Sequence, residues 1–125
     1  MVELVRNEQI GDKTALIFKG LKSICPFTHT PDVATVELDC TMRKGQTQID
    51  TGRLLTYLDS FGNTEIAMEM IPLEIIKFCV NESMGKRPAT GWKYAAPDAV
   101  SVKYKLFEGK TWGMTASVDF SREVK

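Results

Sequence analysis

Val33-Ala-Thr-Val-Glu-Leu-Asp-Cys-Thr-Met42 alternates without a break, with Val36, Leu38, Cys40 and Met42 on one side and Glu37, Asp39 and Thr41 on the other. A period of two marks a strand with one face buried and the other in water, and it puts Cys40 in the core. Upstream, residues 14–24 (TALIFKGLKSI) are apolar with interruptions at Lys19, Gly20 and Lys22. That fits a second strand with a bulge at Gly20. Residues 1–13 are polar and irregular, a tail or a short edge strand. Near the other end, Val100, Val102, Tyr104 and Leu106 alternate with Ser101, Lys103 and Lys105. After a turn at Glu108-Gly109-Lys110, Trp112, Met114, Ala116, Val118 and Phe120 alternate with Gly113, Thr115, Ser117 and Asp119. This pair reads as a hairpin.

Between the strand pairs the period changes. Residues 43–49 form a polar connection. Asp50-Thr51-Gly52 supplies a side-chain oxygen to cap a helix, and Leu54, Leu55, Leu58 and Phe61 follow at helical spacing until Gly62-Asn63 stops it. Thr64 can cap a second helix running to about residue 81, with Ile66, Met70, Ile75, Ile76, Phe78 and Val80 as its apolar set and Cys79 on the packed face. Pro72 inside that pattern predicts a kink or a restart. Residues 82–91 read as a loop. The order ββααββ predicts an α+β domain over residues 1–125: a four-stranded antiparallel sheet with both helices on its apolar face. Free edges on such a sheet favour pairing with further copies.

Composition narrows the class. The chain has 125 residues, 43% hydrophobic and 26% charged, the balance of a globular domain. No run of about 18 apolar residues exists, so no membrane span is expected. The first residues lack the pattern of a signal peptide, and a cytoplasmic location is expected. Three cysteines without CxxC spacing point to a reducing compartment with no disulfide framework. One histidine makes no zinc site. Lys+Arg and Asp+Glu balance at 16 each, so net charge gives no argument for nucleic acid. Local basic groups remain: Lys86, Arg87 and Lys93 around one loop, and Lys103 and Lys105 on a polar strand face. They read either as a path for phosphates or as ordinary solubilising surface.

The connection Cys25-Pro-Phe-Thr-His-Thr-Pro-Asp32 joins the first two strands and holds the sole histidine. Its prolines fix φ and push their neighbours towards extended conformations, so the loop can hold a thiol and a carboxyl at a set separation. Cys25 reads either as a small buried packing residue or as a nucleophile, with Asp32 as acid or base. His29 either positions Cys25 or faces solvent, hydrogen-bonded to backbone.

Cys25-Pro26-x-Thr28-x-x-Pro31-Asp32-x-Ala34-Thr35 resembles the active-site loop of the nitrile reductases that act on 7-cyano-7-deazaguanine in queuosine biosynthesis. Tyr57-Leu58-x-Ser60-Phe61-x-Asn63 is similar to a helix segment of the same family. The resemblance implies the tunnelling fold, in which subunits join sheet edges into stacked rings. It implies Cys25 as the thiol that attacks the nitrile carbon and Asp32 as the proton donor. It implies Glu69 as the carboxylate on the amidine-like edge of the base, with Ile49, Asp50 and Thr51 as the other base-contacting segment. Two departures matter. Gly52 and Leu55 stand where the reductases carry lysines for NADPH, and Met68 replaces a histidine before the base-binding glutamate. Without those lysines the cofactor phosphates lose charge-assisted partners, so no cofactor is expected. The pattern resembles the amidinotransferase branch that makes archaeosine, converting 7-cyano-7-deazaguanine in tRNA to a formamidine with ammonia. That branch implies tRNA and ammonia as partners, no membrane, and a homo-oligomer of stacked rings; the alternatives are an NADPH-dependent nitrile reductase and a non-catalytic purine- or pterin-binding module of the same fold, with Cys25 inert. The chemistry also requires a protonated Asp32, which burial would favour.

Overall fold

The computed structural model describes residues 1–41, 51–79, 99–106 and 114–121. Five strands and two helices follow in the order β1 (Glu3–Ile10), β2 (Lys13–Ile24), β3 (Pro31–Thr41), α1 (Thr51–Asp59), α2 (Met70–Lys77), β4 (Ala99–Leu106) and β5 (Met114–Ser121). A short 3₁₀ turn, Ser60–Asn63, follows α1. The strands form one sheet in chain order, every neighbour antiparallel.

The four strands expected from the sequence are β2 to β5. The sheet nevertheless has five strands rather than four, because residues 1–13 take the edge-strand reading. β1 carries no alternation of its own, and only Leu4 and Glu8 are even partly covered. Pairing with β2 holds it, through the two-residue turn Gly11-Asp12 that links Ile10 to Lys13. Gly11 takes φ +62 there, the glycine-first arrangement that suits the twist of a tight hairpin.

One rung of the sheet runs Leu16, Leu38, Val102, and the next runs Phe18, Val36, Tyr104. All six side chains are buried. Leu54 and Leu58 of α1, Phe61 of the 3₁₀ turn, Ile71 and Ile75 of α2, and Cys79 beyond it cover that face. Each such large side chain stabilises the fold by about 1.5–3 kcal/mol on burial. Tyr57 stacks on Phe78 at 4.0 Å between ring centroids and meets the edge of Phe61 at 5.2 Å, so aromatic contacts join the two helical segments.

At Gly20 the β2 ladder slips by one residue, with the glycine at φ +78. Before the slip the even positions Leu16 and Phe18 face the core. After it the odd positions Leu21 and Ser23 do. The bulge therefore exchanges the two faces of β2 for the rest of its length.

The second helix differs from its sequence reading. Thr64 does not cap it; the Thr64 hydroxyl donates backwards to Ser60 O at 3.2 Å. Residues 64–66 are extended, and Glu65 forms an isolated parallel bridge with Ile24. α2 starts only at Met70, with Glu69 at the capping position. Pro72 stands in its first turn, where a missing N–H leaves no intrahelical bond unmade, so the helix restarts rather than kinks. The expected connection at 43–49, the loop at 82–91 and the final hairpin turn lie outside the described residues. Among the described residues no helix is long and apolar enough to cross a membrane.

Candidate active site

β2 and β3 close on residues 25–30. Ile24 and Pro31 are the last register pair. Beyond them Cys25 N donates to Thr30 O at 2.9 Å, and His29 N donates to Cys25 O at 2.8 Å. His29 takes φ +58, the left-handed region, which lets the chain turn back within so few residues. Pro31 opens β3, a strand position that tolerates a residue without an N–H.

This closure sets the faces of the hairpin. Asp32 is the cross-strand partner of Ser23. Cys25 follows Ser23 by two residues and meets Thr30 across the loop, so Cys25 and Asp32 lie diagonally on one face, the face that the Gly20 bulge turned to the core. Diagonal neighbours of this kind are about 7–8 Å apart. Cys25 and Asp32 are both half-buried, so Asp32 is less enclosed than the sequence reading required.

The thiol sits in a nest of donors. The Thr28 hydroxyl, then the backbone N–H groups of Thr28 and Phe27, bond to the sulfur and hold the Cys25 pKa below the ordinary thiol value. Desolvation and the Asp32 charge oppose them and are outweighed. The thiolate is the nucleophilic form, so these donors favour reactivity. Cys40 and Cys79 are the opposite case. Burial, with the Asp39 charge as a smaller cause, pushes Cys40 up to about 12. Burial pushes Cys79 up as well, with Cys40 adding to it. Both are packing residues, as the alternation implied for Cys40.

A second segment comes to the loop from the helical layer. Ile24 N donates to Thr64 O at 2.9 Å, and Ile66 N donates to Ile24 O at 3.0 Å. His29 Nδ1 lies 2.8 Å from Glu65 Oε1. His29 is thus exposed, as its solvent-facing reading has it, but its ring meets a carboxylate and not the backbone. This bridge carries the chain into Met68, half-buried, and Glu69, exposed at the head of α2. Thr51 is the half-buried first residue of α1, and no described hydrogen bond ties it to the loop. Ile49 and Asp50 lie outside the described residues, as do Lys86, Arg87 and Lys93.

Sequence reasoning missed the roles of Thr28 and Glu65. A hydroxyl three residues after a cysteine in a tight turn was the available sign for Thr28. Nothing in the sequence pairs Glu65 with His29. On the polar face, Lys105 Nζ is 2.9 Å from Glu37 Oε2, so this expected phosphate contact is already paired.

A cavity of about 720 Å³ opens at the other end of the sheet, between Arg6, Lys13, Thr14, Asp39 and Asp119. Among the described residues its one thiol is Cys40, whose pKa burial raises, and Cys25 does not line it.

No family model matches the chain, and no curated protein does. Among solved structures, the crystal structure of the archaeosine synthase QueF-Like in the apo form is similar to it, with a TM-score of 0.67 and 18% sequence identity over 94% of this chain and 100% of that one. The α+β sheet described above is therefore the tunnelling fold that this archaeosine synthase also has.

Proposed function

We propose that this chain is a tRNA-modifying amidinotransferase of the archaeosine synthase type, acting on 7-cyano-7-deazaguanine. The observation that carries the reading is the activated thiol: Cys25, ringed by three donors, diagonal to a carboxyl on the same face of one hairpin. The same fold in an archaeosine synthase supports the choice of substrate.

In the proposed reaction the Cys25 thiolate adds to the nitrile carbon, and the C≡N bond becomes C=N. The nitrogen takes the proton of Asp32, giving a covalent thioimide. Ammonia then adds to the same carbon. A proton passes from the new nitrogen to Asp32, the carbon–sulfur bond breaks, and Cys25 leaves as thiolate. The product is a formamidine, the sum of nitrile and ammonia, with no oxidation or reduction and no cofactor. Glu69 orients the base by accepting N–H bonds, as an ionised carboxylate can. Met68, Thr51, Ile49 and Asp50 complete the base contacts. Such enzymes work as stacked-ring homo-oligomers, and β1 and β5, which no described strand pairs on their outer sides, suit that assembly.

The test is intact mass after incubation with 7-cyano-7-deazaguanine, offered as the free base and within tRNA, without ammonia. The expected result is an adduct of the nitrile's mass, absent in Cys25→Ala and discharged to amidine by ammonium. No adduct with either carrier would overturn the proposal. Discharge to an amine, at the expense of NADPH, would make the chain a nitrile reductase instead.

A further inference from the structure

Ser23 stands on β2 directly across from Asp32. It is only 1% exposed, and its hydroxyl has no hydrogen-bond partner among the described residues. Its neighbours on the core face of the hairpin, Leu21 and Ala34, are apolar. A buried hydroxyl left unpaired weakens a fold, whereas alanine would occupy the same place without that cost. Thr14 also has an unpaired hydroxyl, but its cross-strand partner is Cys40, and no carboxyl faces it from there. Ser23 alone of the two stands opposite a carboxyl.

We infer that Ser23 is the positioning residue for Asp32, its hydroxyl bonding one carboxyl oxygen and leaving the other to carry the proton towards the substrate nitrogen. In this structure the hydroxyl does not yet make that bond; side chains directly opposite on one face have Cβ atoms about 4.5–5.5 Å apart, a gap that rotation of the serine hydroxyl towards the carboxyl closes when the substrate is bound. The hydroxyl can donate to the carboxyl before and after the proton leaves, so the same rotamer serves both halves of the reaction. Being buried, Ser23 acts through Asp32 and does not touch the base. The inference rests on the roles of Cys25 and Asp32 proposed above.

The experiment compares the wild-type chain, Ser23→Ala and Ser23→Thr in three measurements: adduct formation with 7-cyano-7-deazaguanine in tRNA, alkylation of Cys25 by iodoacetamide, and Tm. Alkylation needs the thiolate but no proton donor. Ser23→Ala should slow adduct formation about tenfold, a part of what a positioned acid contributes. Its alkylation should stay within about twofold of wild type, and its Tm should be equal or higher. Ser23→Thr, which keeps the hydroxyl, should recover most of the adduct rate. An adduct rate unchanged in Ser23→Ala would overturn the inference and leave the reading of Cys25 standing. Alkylation falling in step with the adduct rate would also overturn it, by assigning the hydroxyl to the thiol. Absence of any adduct in the wild type would bring down the proposed function, and this inference with it.

Discussion

His29 and Glu65 are 36 residues apart in the chain, yet their side chains meet at 2.8 Å across the mouth of the thiol loop. The contact runs parallel to the backbone bridge at Ile24. Together they fasten the loop that carries the nucleophile to the segment that leads into Met68 and Glu69.

His29→Gly separates the two roles of this residue. Glycine keeps the positive φ and relieves a strain of about 1–2 kcal/mol. The lost pair is exposed and contributes about 0–1 kcal/mol. Tm should therefore hold or rise, while iodoacetamide alkylation of Cys25 at pH 7 falls about threefold as the donors around the sulfur loosen. Glu65→Gln should slow alkylation in the same way. Wild-type rates in both variants would show that the pair has no bearing on the thiol.

The pH dependence of that alkylation reports the donors directly. The rate should climb with pH and level off with a midpoint below the ordinary thiol value, since the folded loop favours the thiolate. Thr28→Val removes the largest cause, the hydroxyl bond, and should move the midpoint upward. Thr28→Ser should leave it near wild type. A midpoint indifferent to Thr28→Val would sink the donor argument.

The buried thiols predict an alkaline weakness. Cys40 and Cys79 both have raised pKa values in the folded state, Cys40 to about 12. Unfolding lets them ionise near the ordinary thiol value, so above it the unfolded chain holds fewer protons than the folded one, and stability falls as pH rises. Thermal unfolding followed between about pH 8 and 11 should show that decline, with a shallower slope in Cys40→Ala. Native protein should take up one iodoacetamide, on Cys25, and unfolded protein three.

Charge reversal should separate the two candidate basic regions. Lys105 is already matched by Glu37, so Lys105→Glu should change tRNA affinity little. Reversing Lys86 and Arg87 together should weaken binding and flatten its salt dependence by about one unit of slope per lost phosphate contact. A filter-binding series over salt concentration decides between them, and equal effects would remove the proposal for the 86–87 loop.

The parts of the fold that alternate were legible because burial on one face writes itself into the sequence. β2, β3, β4 and the Gly20 bulge are of that kind. β1 was left open because ELVRNEQI has no apolar face, and only pairing with β2 defines it. The second helix starts five residues later than its sequence implies because Thr64 looks like a cap, whereas its hydroxyl bonds backwards and residues 64–66 are claimed by Ile24. At the site, the resemblance named Cys25 and Asp32. The groups that tune them, Thr28, Glu65 and Ser23, depend on a turn, a long-range contact and a register; the turn shows in the Cys-x-x-Thr spacing, and the other two leave no mark in spacing.

The bulge has a consequence for reading other sequences. Phe18 and Cys25 are an odd number of residues apart, so an unbroken strand would aim them to opposite sides. Only the extra residue at Gly20 reconciles a core aromatic with a half-buried thiol on the same face of the hairpin as Asp32. A chain could keep every letter of the Cys-Pro-x-Thr loop, lose one residue between Phe18 and Leu21, and fold with its nucleophile aimed into open water. The loop motif is thus an incomplete signature for this chemistry, and the parity of the count leading into it is the missing half.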